Sequence, residues 1–170
     1  MPWLDWDLRM PPSLAKRYTA RETVASISDK LDEVATHPPV ARLEVVYTTA
    51  VPAMLNYWGA IAVDAGQGGT VTVTVGAVLD AVHDFFQVPL TQAEAAELKH
   101  AHPAEWRKMA SAFRKRCRDY PALADVTHRQ GMRRVDVLAD RYKWWGMWVH
   151  WNPDGTWYLN LGLVPKNPPR

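Results

Sequence analysis

The residues best suited to chemistry lie near the end of the chain, around the turn Asn152-Pro153-Asp154-Gly155. Asn, Pro, Asp and Gly in that order suit a type I turn followed by a glycine bulge, which closes a β-hairpin and fixes its register. Pairing Asn152 with Thr156 sets His150 opposite Tyr158, Trp148 opposite Asn160, Gly146 opposite Gly162 and Trp144 opposite Val164. An imidazole and a phenol within reach of a bound carbonyl can exchange or donate a proton, so His150 and Tyr158 are the acid/base candidates. Trp144 and Trp148 supply an apolar wall, and Asn160 can orient a polar group of a ligand. Together Trp144, Trp148, His150, Tyr158 and Asn160 form the expected ligand-binding face. The competing expectation is that helices cover this face and its rings are core. The opposite face pairs Trp145, Met147, Val149 and Trp151 with Leu163, Leu161, Leu159 and Trp157. That face is expected to be buried.

Other candidates carry less chemistry. Arg129, Arg133 and Arg134 can converge on a carboxylate or phosphate as an anion site. The alternative is structural, with Asp136 fixing Arg134 in a bidentate ion pair. Cys117 has Arg114, Arg116 and Arg118 nearby to lower its pKa, yet its spacing from Ala110 and Phe113 puts it on an apolar helix stripe, where cysteine acts as a small hydrophobe. His100 and His102 can share a metal only in extended backbone, and the spacing of His83, Asp84 and His128 gives no sign of convergence. No metal and no cofactor are expected. The chain has no Gly-x-Ser-x-Gly elbow and no phosphate-binding loop, and Gly66-Gln67-Gly68-Gly69 lacks the residues of a nucleotide fingerprint.

The 170 residues fit one domain spanning 1–170, with a core over about 3–164 and a flexible tail at 165–170. Apolar residues at 48% and charged residues at 22% are globular values that exclude wholesale disorder. A single cysteine excludes an internal disulfide and suits a reducing compartment. No apolar run reaches the roughly 18 residues of a membrane span, and acids interrupt the N-terminus, so a cytoplasmic, non-membrane protein is expected. Net charge is +2, but residues 99–134 hold ten bases against three acids. A block of that kind attracts phosphates, although a solvated helix face explains it as well. Nucleic acid is disfavoured because the nine Trp and the basic helix fall largely in different segments.

The elements that must position these residues follow from periodicity. Leu4, Trp6 and Leu8 alternate with Asp5, Asp7 and Arg9 as a short strand. Val24, Ile27, Leu31 and Val34 suggest one helical piece within a loop region over 13–40. Leu43, Val45 and Tyr47, then Tyr57, Gly59, Ile61 and Val63, read as two strands. Glycines at 66–69 should turn the chain into a strand over 70–75 that buries Val71, Val73 and Val75. Thr74 is placed to cap a helix through Phe86, and Thr91 with Glu94 forms a capping box for a helix to about His100. Pro103 opens a third helix, which carries Trp106, Met109, Ala110, Phe113 and Cys117 and stops before Pro121. A short helix follows around residues 135–139.

Several segments together resemble a family of small domains from mushroom-forming (basidiomycete) fungi, domain-of-unknown-function family 6699. They are Trp6-Asp7-Leu8 with Pro11; Val71-Thr72-Val73 leading through Val75 to Val78-Leu79; Gly131 with Arg133-Arg134-Val135-Asp136-Val137-Leu138; and the aromatic hairpin with Gly146. The resemblance implies a fungal intracellular domain with an antiparallel sheet and packed helices. It supplies no reaction and no site residues.

The sequence therefore predicts an α+β domain, with an antiparallel sheet of four to six strands and three or four helices on one face. The favoured function is a noncatalytic binding or interaction module, whose Trp-rich hairpin face holds a small hydrophobic or aromatic ligand or a partner protein. Its competitors are a small enzyme using His150 and Tyr158, and anion or nucleic-acid binding through 99–134. An exposed Trp patch would also suit a homodimer.

Overall fold

The computed structural model describes residues 3–19, 23–48, 53–65, 71–119 and 124–165. Its strands are β1 (Leu4–Asp5), β2 (Lys16–Tyr18), β3 (Val24–Ser26), β4 (Arg42–Tyr47), β5 (Ile61–Asp64), β6 (Lys143–Trp151) and β7 (Trp157–Val164). Its helices are α1 (Ala53–Trp58), α2 (Val75–Gln87), α3 (Gln92–Ala101), α4 (Pro103–Asp119) and α5 (Ala124–Gln130). Strands β1-β2-β3 form a small antiparallel sheet, and β5-β4-β7-β6 form the main one. Within the main sheet β4 runs parallel to β7 and the other neighbours are antiparallel, so the α+β class holds with one parallel pairing.

Period-two alternation makes β4, where Leu43, Val45 and Tyr47 are buried and Arg42 and Glu44 are exposed. Onto that apolar face packs α2, capped by Thr74, whose hydroxyl accepts from the Ala77 amide at 3.2 Å. Its stripe of Val78, Leu79, Val82 and Phe86 is buried, each side chain contributing about 1.5–3 kcal/mol before entropic costs. Tyr47 meets Phe85 and Phe86 edge-on, both at 5.2 Å between ring centroids. From the N-terminal segment Leu4, Trp6 and Leu8 enter the same core, and the Trp6 and Trp144 rings lie 5.8 Å apart. A second cluster of Met54, Leu98, Met109 and Val137 joins α1, α3 and α4 to a 3-10 turn at Arg134–Leu138. The capping box Thr91/Glu94 is complete, and α3 and α4 start where it and Pro103 place them.

Three expectations are corrected. Residues 24–34 are not helical: Val24, Ala25 and Ser26 pair with Tyr18, Arg17 and Lys16, and a 3-10 turn follows at Ser28–Lys30. Only Ile27 of the expected stripe is fully buried, so a ladder beside β2 satisfies more backbone than a helix with one anchored face. The strand expected from Tyr57 begins only at Ile61. Residues up to Trp58 are helical, and Gly59, at φ 67°, makes the left-handed exit that glycine adopts without a side-chain clash. The valine strand also fails. Val71 is 81% exposed, and pairing is reduced to one isolated bridge between Thr74 and Val34, with the Val73 amide donating to Val40, its carbonyl accepting from Ala35 and the Val75 amide donating to Glu33. Thr74 then turns the chain into α2. The glycine turn at 66–69 lies outside the described residues.

The hairpin follows its expected register from Trp151/Trp157 to Gly146/Gly162. A bulge between Trp144 and Gly146 then moves Trp144 opposite Leu163. This corrects the faces: Trp144 packs against the core, whereas Trp145 is 50% exposed.

Candidate functional site

One side of the hairpin borders a cleft of about 470 Å3. Its floor is Leu4, Ile27, Leu159 and the first turns of α2 at Val75, Val78 and Leu79. The hairpin wall is Trp144, Met147, Val149, Trp151 and Trp157, with Trp148 contributing from the edge strand. Residues 35–38 and Val40 form the facing wall, and Trp3 stands beside them. Thr36 and His37 are the polar side chains other than indole N–H groups, and the Thr36 hydroxyl already donates to the Pro38 carbonyl at 2.9 Å. Among the described residues no carboxylate, ammonium or guanidinium lines the space.

The cleft exists because α2 and residues 35–40 cover only part of the hairpin's core-side face. Leu159 and Leu161 are buried, but Val149 is 47% and Trp151 67% exposed. The expectation that this whole face is core is therefore corrected near the turn, where the hairpin outruns the layer packed beneath it. Sequence reasoning missed the cleft, although one signal was present. Trp145, Trp148 and Trp151 spread over both faces of one strand, and one covering layer cannot bury all three.

Of the five residues expected to bind a ligand, Trp148, His150, Tyr158 and Asn160 share the opposite face of the sheet. The bulge takes Trp144 to the cleft. His150 is exposed and Tyr158 is half-buried. Their rings stack, with centroids 4.8 Å apart and an interplanar angle of 27°. Stacking aligns the ring faces and leaves no apolar enclosure to exclude water, the condition an acid/base pair of this type needs. Trp148 leans over Gly162, where an added Cβ would lie 2.6 Å from the indole. Glycine is required there because the ring occupies the space of a side chain.

The arginines go to separate partners. Arg129 Nε donates to the Asp125 carbonyl, while Arg133 donates to the side-chain carbonyl oxygens of Gln87 at 2.7 Å and Gln130 at 2.6 Å. Burial and the nearby Arg116 charge pull the Arg133 guanidinium below its usual value. Arg134 lies over the rings of Trp58 and Phe85, 4.9 and 4.6 Å from their centroids. Asp136 does not pair with Arg134. It accepts from Arg116 Nε at 3.0 Å and Nη2 at 2.8 Å, and from the Arg133 amide at 2.9 Å. Arg116 also donates to the Gly131 carbonyl. Its position, seven residues after buried Met109, lies on the inward stripe of α4 and could have been read as such. The result is a pin between α4 and the 3-10 turn. Glu94 has a comparable role: burial would raise its pKa, but hydrogen bonds from Trp58 and Thr91 hold the carboxyl below its ordinary value.

Among the described residues no three His, Cys, Asp or Glu side chains converge on a metal-sized space, and no helix is long and apolar enough to cross a membrane. No curated protein and no solved structure matches the chain. A family model does match, over residues 4–156, which takes in the small sheet, β4, β5 and β6 of the main sheet and the described helices, and ends at the hairpin turn before β7. The chain belongs to that family, a family of unknown function designated DUF6699.

Proposed function

We propose that the protein is a noncatalytic binding module whose Trp-lined cleft holds a small hydrophobic or aromatic molecule. The observation that carries this reading is the lining itself, the indoles of Trp3, Trp144, Trp151 and Trp157 over an aliphatic floor, with no charged side chain among the described residues. A space of about 470 Å3 falls within the range of small-molecule sites, and such sites combine an apolar lining with a few polar groups that fix orientation. Here those groups are His37 and the indole N–H groups. They suit a flat molecule with one or two hydrogen-bonding atoms better than a sugar, whose many hydroxyls would go unpaired.

A thermal-shift and Trp-fluorescence screen against neutral aromatic, aliphatic, sugar and anionic compounds tests the proposal. A ligand at a hundred times its Kd adds about 2.7 kcal/mol, which raises Tm by roughly 5–10 °C in a chain of this size. Hits are expected among the aromatic compounds, weakened at least tenfold by Trp151→Ala. Stabilisation confined to sugars or anions, or aromatic hits indifferent to Trp151→Ala, would count against the cleft.

A further inference from the structure

The outer edge of β6 presents backbone groups that the protomer leaves unused. The Asn152 amide donates to the Thr156 carbonyl at 2.8 Å, and hydrogen-bonded pairs alternate along an antiparallel ladder. Gly146, Trp148 and His150 therefore turn their amides and carbonyls toward β7, while Met147, Val149 and Trp151 turn theirs outward. The N-terminal segment covers only the start of this edge. The Trp144 amide donates to the Trp6 carbonyl at 2.9 Å and Asp7 bridges to Lys143, but beyond that point β1 pairs with β2. Among the described residues, nothing bonds the outward backbone groups of Met147, Val149 and Trp151.

Exposed edges in monomeric proteins are protected by charge, proline, short length or a covering element. In the nine-residue β6 such protection is confined to the start, where Lys143, the N-terminal segment and the bulge at Trp145 lie; residues 146–151 have none of these and carry no Asp, Glu, Lys or Arg. We infer that this edge joins two copies of the chain, their β6 strands antiparallel about a two-fold axis at Val149.

The register supports a second copy over an unrelated chain because it is self-complementary. With Val149 opposite Val149 of the second copy, Met147 falls opposite Trp151 and Trp151 opposite Met147. Every outward residue then meets another outward residue, which closes six backbone hydrogen bonds and makes one eight-stranded sheet. On one face the apolar side chains that border the two clefts come together. On the other, each Trp148 faces the His150 of the second copy. The edge has no charge with which to select a partner of opposite sign.

The area is also sufficient. Trp3, Trp145, Trp148 and Trp151 are 50%, 50%, 52% and 67% exposed. At about 200 Å2 per indole side chain they present roughly 450 Å2. Val149, His150 and the strand edge raise this to about 600–700 Å2 per copy, so covering all of it would bury about 1,200–1,400 Å2 in total, the low end of the range of stable interfaces. This assembly shares Val149 and Trp151 with the cleft but needs no ligand in it, so it is tested on the unliganded chain.

Sedimentation equilibrium over 1–100 μM tests it. The wild-type chain should run at twice its 19.3 kDa mass. Val149→Pro removes an amide that bonds nothing within the protomer, at an edge position where proline is tolerated. It should weaken association at least a hundredfold while keeping the wild-type circular dichroism. Val149→Lys, which places like charges together at the axis, should do the same and decides the matter if the proline variant does not fold. A wild-type chain at monomer mass throughout, an open series of larger species, or a folded variant that still dimerises would each overturn the proposal.

Discussion

Strands β6 and β7 belong to one hairpin and are comparably apolar, yet they live in different surroundings. On β7, Leu159, Leu161 and Gly162 are buried; on β6, Trp145, Trp148, Val149 and Trp151 are about half exposed or more. Place in the sheet order accounts for the difference. β7 has β4 on one side and β6 on the other, with α2 below, whereas β6 ends the sheet and projects past its supporting layer. Hydrophobicity recruits a residue to a strand, but the neighbours of that strand decide whether it is covered. In this protein the uncovered strand supplies most of the cleft's hairpin wall.

The comparison can be broken by substitution. The largest effect is expected at the most enclosed polar contact, Asp136, where Asp136→Ala leaves Arg116 buried without its partner and should cost about 3–5 kcal/mol in urea unfolding. Leu161→Ala on β7 should cost about 2–5 kcal/mol, while Val149→Ala on β6, in the isolated protomer, should cost under about 1 kcal/mol. Equal losses at these two positions would remove the distinction between the strands. Gly162→Ala couples them, because its methyl must displace the Trp148 ring. A loss of about 1–2 kcal/mol is expected, with Trp emission moving to longer wavelength.

The smallest effect at neutral pH lies on β4, next to β7. The Tyr47 hydroxyl is buried with no hydrogen-bond partner among the described residues, and burial pushes its pKa to about 12 against the opposing pull of Arg134. The unfolded chain gives up this proton near pH 10 and the folded chain retains it, so stability should fall as pH rises through 10 toward 12. Tyr47→Phe should flatten that slope, seen by denaturation between pH 8 and 11, and change stability at pH 7 by less than about 1 kcal/mol.

Local signals were legible in the sequence where local chemistry decides the structure. Thr74, the Thr91/Glu94 box, Pro103 and the Asn152–Gly155 turn fix element ends through groups a few residues apart, and each is found where it was expected. Non-local competition was not legible. Val71 and Val24 have strand and helix patterns respectively, but the presence or absence of a neighbouring strand decides their state: Val24 pairs with Tyr18, and Val71 lies in no ladder among the described residues. The same limit applied to the site. Trp144 and Trp148 are expected ligand contacts, but the bulge at Trp145 and the short reach of α2 place the concavity on the face expected to be core, with Trp144 in its wall and the Trp148 ring on the other face. The charge pattern of 99–134 suits a solvated helix face, with an anion site as the alternative, whereas Arg116, Arg133 and Arg134 have side-chain contacts within the protein.

The most direct test is a fluorescence titration with the neutral aromatic probe 1-aminoanthracene on the wild type, on Trp151→Ala in the cleft, and on Trp145→Ala, an exposed indole outside it. The account predicts saturable binding of one probe per chain, weakened at least tenfold by Trp151→Ala and unchanged by Trp145→Ala. Equal weakening by both variants, or no saturable binding to the wild type, would contradict it.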